Sequence, residues 1–292
     1  MPISITLDKP NPVLVAQQNV ALQESERFAE MTDSHVGSLI VVGTGIKAIV
    51  EITFETQFEI SNADQVFYLV ADQVTEEWIK RQNPRSESLY GFYAPDKDRA
   101  ITYQEMVDKI LAFVRMRRRV CAAFYGHPGV FAYPAHEAIR RARAEGFYAR
   151  MLPAVSSEDC LFSDLGVDPG NHGCQSFEAS YFLINSPNFD PATPLILWQL
   201  GVIGERNLPT QLCNRDGLRL LVEMLLPIYS TSHTVFVYEA SQFVVSFPKI
   251  DRTSLGALVD APITPISTLF VPPKGIAKPN RDILNRLYRQ EE

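Results

Sequence analysis

The sequence predicts an α/β protein made of two α/β subdomains, and three observations carry that reading. Apolar runs and amphipathic segments alternate over residues 37–152, the pattern of a mostly parallel sheet covered by helices. The apolar run 120–124 has the character of a strand buried on both faces, and it stops abruptly at Gly126-His127-Pro128-Gly129. From Pro153 a second unit begins, and its later strands follow one another in an order that allows antiparallel pairing.

Taken in order, residues 1–36 form an extension. It is Pro-punctuated at first, then helical over about 13–31, and it suits either a mobile tail or an arm that docks on a partner subunit. The first subdomain spans 37–152. Residues 38–43 read as a strand running into Thr44-Gly45, and Ile52, Phe54, Phe58 and Ile60 as the apolar side of a helix. Residues 66–70 form the next strand. A helix from Thr75 ends at Asn83-Pro84. Thr102 with Glu105 makes a capping box, which would start a helix there and put Tyr103 in its first turn, where the dipole favours negative charge. Met106, Val107, Ile110, Leu111 and Val114 continue that helix as a buried face. After the strand at 120–124, Pro134 suits the first turn of a helix and Gly146 its end.

The second subdomain spans 153–273. Ser156 and Asp159 cap a helix that Gly166 and Asp168-Pro169 end. Strands are expected at 194–199, 234–238, 243–247 and 266–271, with a helix over 216–226. A tail, 274–292, carries a short amphipathic helix through Ile283, Leu284 and Leu287.

Composition narrows the function. Apolar residues make up 46% and charged residues 21%, ordinary for a globular chain with a sizeable core. The formal charge of −7 argues against nucleic acid, which selects a basic face. No run is apolar enough to span a membrane, and the first residues lack a signal-peptide pattern, so the expected location is cytoplasmic. Cys121, Cys160, Cys174 and Cys213 form no CxxC pair, and His136-Glu137 lacks the second His of a zinc motif, so no metal site is expected.

Several ordered motifs resemble a known family. Val41-Val-Gly-Thr-Gly45 in a two-unit α/β pattern looks like the tetrapyrrole-methylase fold. Phe124-Tyr-Gly-His-Pro-Gly-Val-Phe131, Ala149-Arg-Met-Leu-Pro153 and Ser157-Glu-Asp-Cys-Leu161 resemble the borosin peptide backbone α-N-methyltransferases. So do Asp164-Leu-Gly-Val-Asp-Pro169, Phe177-Glu-Ala-Ser180, Trp198-Gln199, Tyr238-Glu-Ala240 and Pro265-Ile-Ser-Thr268. The resemblance covers roughly 37–273. It implies S-adenosylmethionine (SAM) as cofactor, held in the cleft between the subdomains, and iterative methylation of backbone amides of a ribosomally made precursor peptide. Fungal members carry that peptide at their own C-terminus. The sequence ends at Glu292 without such a segment, so the expected type is split, with the precursor in trans. The fold further implies a homodimer.

By the resemblance, Tyr125, His127 and Val130 line the cofactor from the first subdomain. Ser156, Ser157, Gln199, Ala240, Ser267 and Thr268 line it from the second. Tyr90, Tyr93, Arg99 and Tyr103 face the substrate amide, with Tyr103 the expected base and Arg99 the stabilising charge. Two other readings remain open. One is a tetrapyrrole, small-molecule or protein methylase of the same fold, since fold does not fix substrate. The other is a catalytically silent SAM- or peptide-binding protein.

Overall fold

In the computed structural model, residues 37–207 and 213–288 are described; the expected N-terminal arm lies outside them. The first half runs β1 (Ser38–Gly43), α1 (Phe54–Asn62), β2 (Gln65–Leu69), α2 (Gln73–Gln82), β3 (Ser86–Ser88), α3 (Arg99–Arg115), β4 (Arg119–Phe124), α4 (Tyr133–Ala144) and β5 (Tyr148–Met151). Its strands form a parallel sheet in the order β3-β2-β4-β1-β5. Both faces are covered, as expected for parallel strands. Leu39 and Val41 of β1 pack with Met106, Ile110 and Ala138 of α3 and α4. Ile40 and Val42, on the other face by strand alternation, pack with Ile60 and Ile79 of α1 and α2.

The second half runs α5 (Ser157–Leu165), α6 (Pro169–His172), β6 (Gln175–Glu178), α7 (Ala179–Asn185), β7 (Leu195–Trp198), α8 (Arg215–Leu225), β8 (Thr234–Glu239), β9 (Lys249–Ser254), β10 (Thr268–Val271) and α9 (Arg281–Leu287). Its sheet has the order β6-β7-β10-β8-β9, with only β6 and β7 parallel. Leu195 and Leu197 pack with Phe182 and Leu221 on one face. Ile196 and Trp198 pack with Leu161 of α5 on the other.

Local chemistry fixes the element ends. Ser156 and Asp159 form the predicted capping box of α5, and Gly166 ends it in the left-handed conformation, φ 65°. Three expectations fail. Helix α3 begins at Arg99, capped by Asp98, whose carboxylate accepts from Ala100 N at 2.7 Å. Glu105 makes no capping box with Thr102 but ion-pairs with Lys97. Tyr103 therefore lies a full turn inside the helix, and the dipole argument for it lapses.

The apolar residues of α1 do not share a buried face. Ile60 is buried but Phe54 is 92% exposed, and the helix buries Thr56 and Glu59 instead. Glu59 is retained there by its ion pair with Arg119, 2.6 Å away. Residues 243–247 form no strand. Ser241 Oγ donates within that segment and Ser246 Oγ donates to Phe243 O, closing a turn on side-chain bonds. Strand β9 follows it, polar and at the sheet edge, with β8 as its partner. The four cysteines are free thiols.

Candidate functional site

A cavity of about 470 Å³ lies between the two sheets. From the first sheet it is bordered by Ile46 after β1, by Leu69, Val70 and Ala71 at the end of β2, and by Phe124, Tyr125, Gly126, His127 and Val130 at and after the end of β4. These are carboxyl ends of parallel strands, where open α/β sheets bind ligands. From the second half come Ser156 and Ser157 at the start of α5, Trp198 and Gln199 at the end of β7, Ala240 after β8, and Pro265, Ile266 and Thr268. An adjoining hollow of about 340 Å³ is bordered by Arg99, Tyr103, Phe131, Ala132, Tyr133, His136 and Gln199.

Two glycines let the cavity floor form. A Cβ on Gly43 would stand 2.2 Å from Gly126 O and 2.5 Å from Ala154 Cβ, so only glycine lets the β1 and β4 turns meet. Gly126, at φ 67°, closes that contact through Gly126 N to Gly45 O at 2.9 Å. The Gly43–Gly45 segment is thus packed against the β4 turn. His127 Nδ1 accepts from Gly129 N at 2.9 Å, which folds the turn back and presents the ring at the cavity.

Tyr125, His127, Val130, Ser156, Ser157, Gln199, Ala240 and Thr268 all border the cavity. Burial pushes the Tyr125 phenol up to about 12, with a hydrogen bond from Gln242 opposing it. Ser156 spends its hydroxyl on the α5 cap, donating to Asp159 Oδ2 at 2.7 Å. That helix end already carries the carboxylates of Glu158 and Asp159, and Glu158 borders the cavity beside Ser156. Gln199 holds a left-handed backbone, φ 63°, which turns it off the end of β7. Ser267 is the departure. It is fully buried, does not border the cavity, and donates its hydroxyl to Glu239.

The substrate-side residues do come together. Tyr90, Tyr93 and Tyr103 border the main cavity, and Tyr103 also borders the hollow. Their rings form a chain: Tyr90 to Tyr93 at 5.5 Å, Tyr93 to Tyr103 edge-on at 6.5 Å, Tyr103 stacked on Tyr133 at 6.1 Å. Burial first, then the neighbouring Tyr103 with its hydrogen bond, hold the Tyr93 phenol well above the ordinary tyrosine range, with Arg99 opposing. Arg99 borders the hollow, not the main cavity, and its guanidinium donates to Glu205 O in the second half.

Two residues were not foreseen. Tyr133 completes the tyrosine chain and accepts from Gln104 Nε2 at 2.8 Å. Phe131 adopts φ 52° and packs against Trp198 at 6.1 Å across the cleft. Their nearness to Gly129 was a sequence signal for Phe131, but the stacking of Tyr133 on Tyr103 depends on helix packing that no local pattern encodes. Among the described residues no group of His, Cys, Asp or Glu is placed to hold a metal, and no helix is long and apolar enough to cross a membrane.

The model of the Tetrapyrrole (Corrin/Porphyrin) Methylases matches residues 38–243. This chain belongs to that family. Among its relatives, this family member is 40% identical over 260 residues to the methyltransferase/ribosomally synthesized cyclic peptide gymnopeptides precursor of Gymnopus fusipes, covering 88% of this chain and 62% of that protein. It is 38% identical over 260 residues to the corresponding omphalotin A precursor of Omphalotus olearius, with the same coverage. It is 39% identical over 245 residues to the type III borosin cyclic peptide precursor of Anomoporia bombycina, covering 82% of this chain and 28% of that protein. The methylase chain thus spans less than two thirds of the length of these relatives.

Solved structures agree on the architecture. Cobalt precorrin-4 methyltransferase superposes with a TM-score of 0.57 at 15% identity, covering 80% of this chain and 94% of that one. Uroporphyrin-III-C-methyltransferase from Thermus thermophilus gives 0.56 at 15% identity, covering 81% and 92%. At such identity the likeness speaks for the fold alone.

Proposed function

We propose that this methylase-family chain transfers methyl groups from SAM to backbone amide nitrogens of a ribosomally made peptide, iteratively and with the peptide supplied as a separate molecule. The observation that carries the reading is the row Tyr90, Tyr93 and Tyr103 on one wall of the cavity, in a chain about 40% identical to methyltransferase–peptide precursor proteins.

The cavity suits the cofactor. Its volume lies within the roughly 300–1,000 Å³ of small-molecule sites. Leu69, Val70, Ala71 and Ile266 give apolar wall. Tyr125, His127, Val130, Ser156, Ser157, Gln199, Ala240 and Thr268 would hold it. When bound, SAM supplies an electrophilic methyl group.

The chain's own residues must then make an amide nitrogen nucleophilic. Its lone pair is delocalised into the carbonyl. Removing the N–H proton while stabilising charge on the oxygen releases it. Arg99 is permanently charged and cannot take the proton. Tyr93, held protonated by burial, serves as donor to the amide. Tyr90, exposed at the mouth, meets the incoming peptide. Tyr103, shared by both hollows, takes the proton as its phenolate, its own proton having passed to solvent, with the Arg99 charge beside it in the hollow.

Co-expression with any short peptide found encoded beside its gene, followed by fragmentation mass spectrometry, tests this. Methyl groups on backbone nitrogens are the expected result. Methylation only of side chains, or only of an added tetrapyrrole, overturns it, as does SAM binding without turnover.

We also propose that the functional unit is a two-fold homodimer. Closed two-fold symmetry is the commonest assembly, and exposed Phe54, Val245 and Phe247 leave apolar surface for a partner to cover. Light scattering of the full chain should give the dimer mass; a monomer across the concentration range refutes it.

A further inference from the structure

We infer that Glu239 is a positioning residue that builds the second-half wall of the cofactor cavity without touching the cofactor. The inference rests on the reading that this cavity binds SAM. Glu239 ends β8, and its side chain is 14% exposed. Its Oε1 accepts from Ser267 Oγ, from Thr264 Oγ1 at 2.9 Å and from Lys249 Nζ at 3.2 Å. Burial pushes its carboxyl up, but the bonds from Ser267, Thr264 and Lys249 outweigh that and leave it below the ordinary range, so it stays a charged acceptor.

Each bond fixes a piece of wall. Thr264 and Ser267 bracket Pro265 and Ile266, which border the cavity. Thr264 N donates to Ser267 Oγ at 2.9 Å, and Ser267 N donates to Thr264 O at 3.0 Å, so the turn is closed on itself. Ser267 O accepts from Leu200 N at 2.9 Å, which ties the turn to the residue after Gln199. Lys249, from the edge strand β9, also donates to Pro262 O just upstream. Ala240, next to Glu239 in the chain, borders the cavity directly. One carboxylate thus holds Ala240, the Pro265–Ile266 turn and Thr268 in register, and through Ser267 reaches the Gln199 segment. Ser267 acts as a strut in this clamp.

The test is isothermal calorimetry with SAM as the probe, on the full-length wild type and on Glu239→Gln, Ser267→Ala and the double variant, with thermal melting alongside. Loss of the charged acceptor should weaken SAM affinity about tenfold or more in Glu239→Gln. Ser267→Ala should lose a comparable factor, and the double variant should lose less than the product of the two, because both act through one clamp. Melting temperature should move by less than about 4 °C. With peptide turnover, KM for SAM should rise while kcat at saturating SAM stays within about threefold. The inference is overturned if Glu239→Gln binds SAM as wild type does, if the two losses are fully multiplicative, or if affinity falls only in step with the melting temperature. Wild type that binds no SAM overturns the function reading itself, and this inference with it.

Discussion

Tyr103→Phe is expected to lower the single-turnover methylation rate by about 10²–10⁴-fold, the usual consequence of removing a general base, with SAM affinity unchanged. Burial holds Tyr93 and Tyr125 protonated, the second at about 12. Tyr90 stands 64% exposed at the mouth, where no walls exclude water. Tyr103 is half-buried, borders both the main cavity and the hollow, and is fixed between Tyr93 and Tyr133 by ring contacts. Phenylalanine keeps those contacts and removes only the oxygen, so the loss reads the proton transfer. Tyr93→Phe should cost less, about tenfold, because it removes one donor whose neighbours remain. The measurement is single-turnover methylation at saturating SAM with the peptide identified by co-expression. A Tyr103→Phe rate within a few-fold of wild type makes Tyr103 a packing residue.

Tyr103 is singled out by its surroundings in the fold and not by its place in the helix. Its place beside a capping box at Thr102 was legible in the sequence and wrong, because Asp98 competes successfully for the same helix start and Glu105 is drawn to Lys97. Cap patterns are local, and two overlapping ones cannot be ranked without the tertiary partners. Strand β1 was legible because alternation with both faces buried leaves a continuous apolar run. So was α5, whose start and stop are fixed by local bonds alone. Strand β9, Lys249–Ser254, was illegible. Its stability comes from pairing with β8, and an exposed edge selects polar residues that hide its periodicity. The cavity residues converge because they sit at strand carboxyl ends, a property of topology. Ser267 shows the limit: the motif drew attention to the right turn, and only the structure shows its hydroxyl facing Glu239.

Arg99→Lys is expected to lower kcat by about 10²–10³-fold although it keeps the charge. Arg99 opens α3, the helix that carries Tyr103, and its backbone N–H donates to Arg206 O at 3.0 Å. Its guanidinium donates to Glu205 O, and the flanking Asp98 pairs with Arg206 at 3.1 Å. The tyrosine-bearing helix is thereby held to the segment that follows β7 and Gln199, across the cleft. A planar fork can make that bond and still direct its remaining donors into the hollow it shares with Tyr103 and Gln199. A lysine ammonium can reach Glu205 O or face the hollow, and its flexible stem fixes neither. Arg99→Met, which loses the charge as well, should be impaired by a further factor of about ten or less, since geometry rather than charge carries most of the effect. Steady-state kinetics separates the cases. A fall in kcat at unchanged peptide KM marks an interaction made in the transition state, and a rise in peptide KM alone marks uniform binding. Wild-type kcat in Arg99→Lys would mean that the charge suffices and the tie to Glu205 is structural.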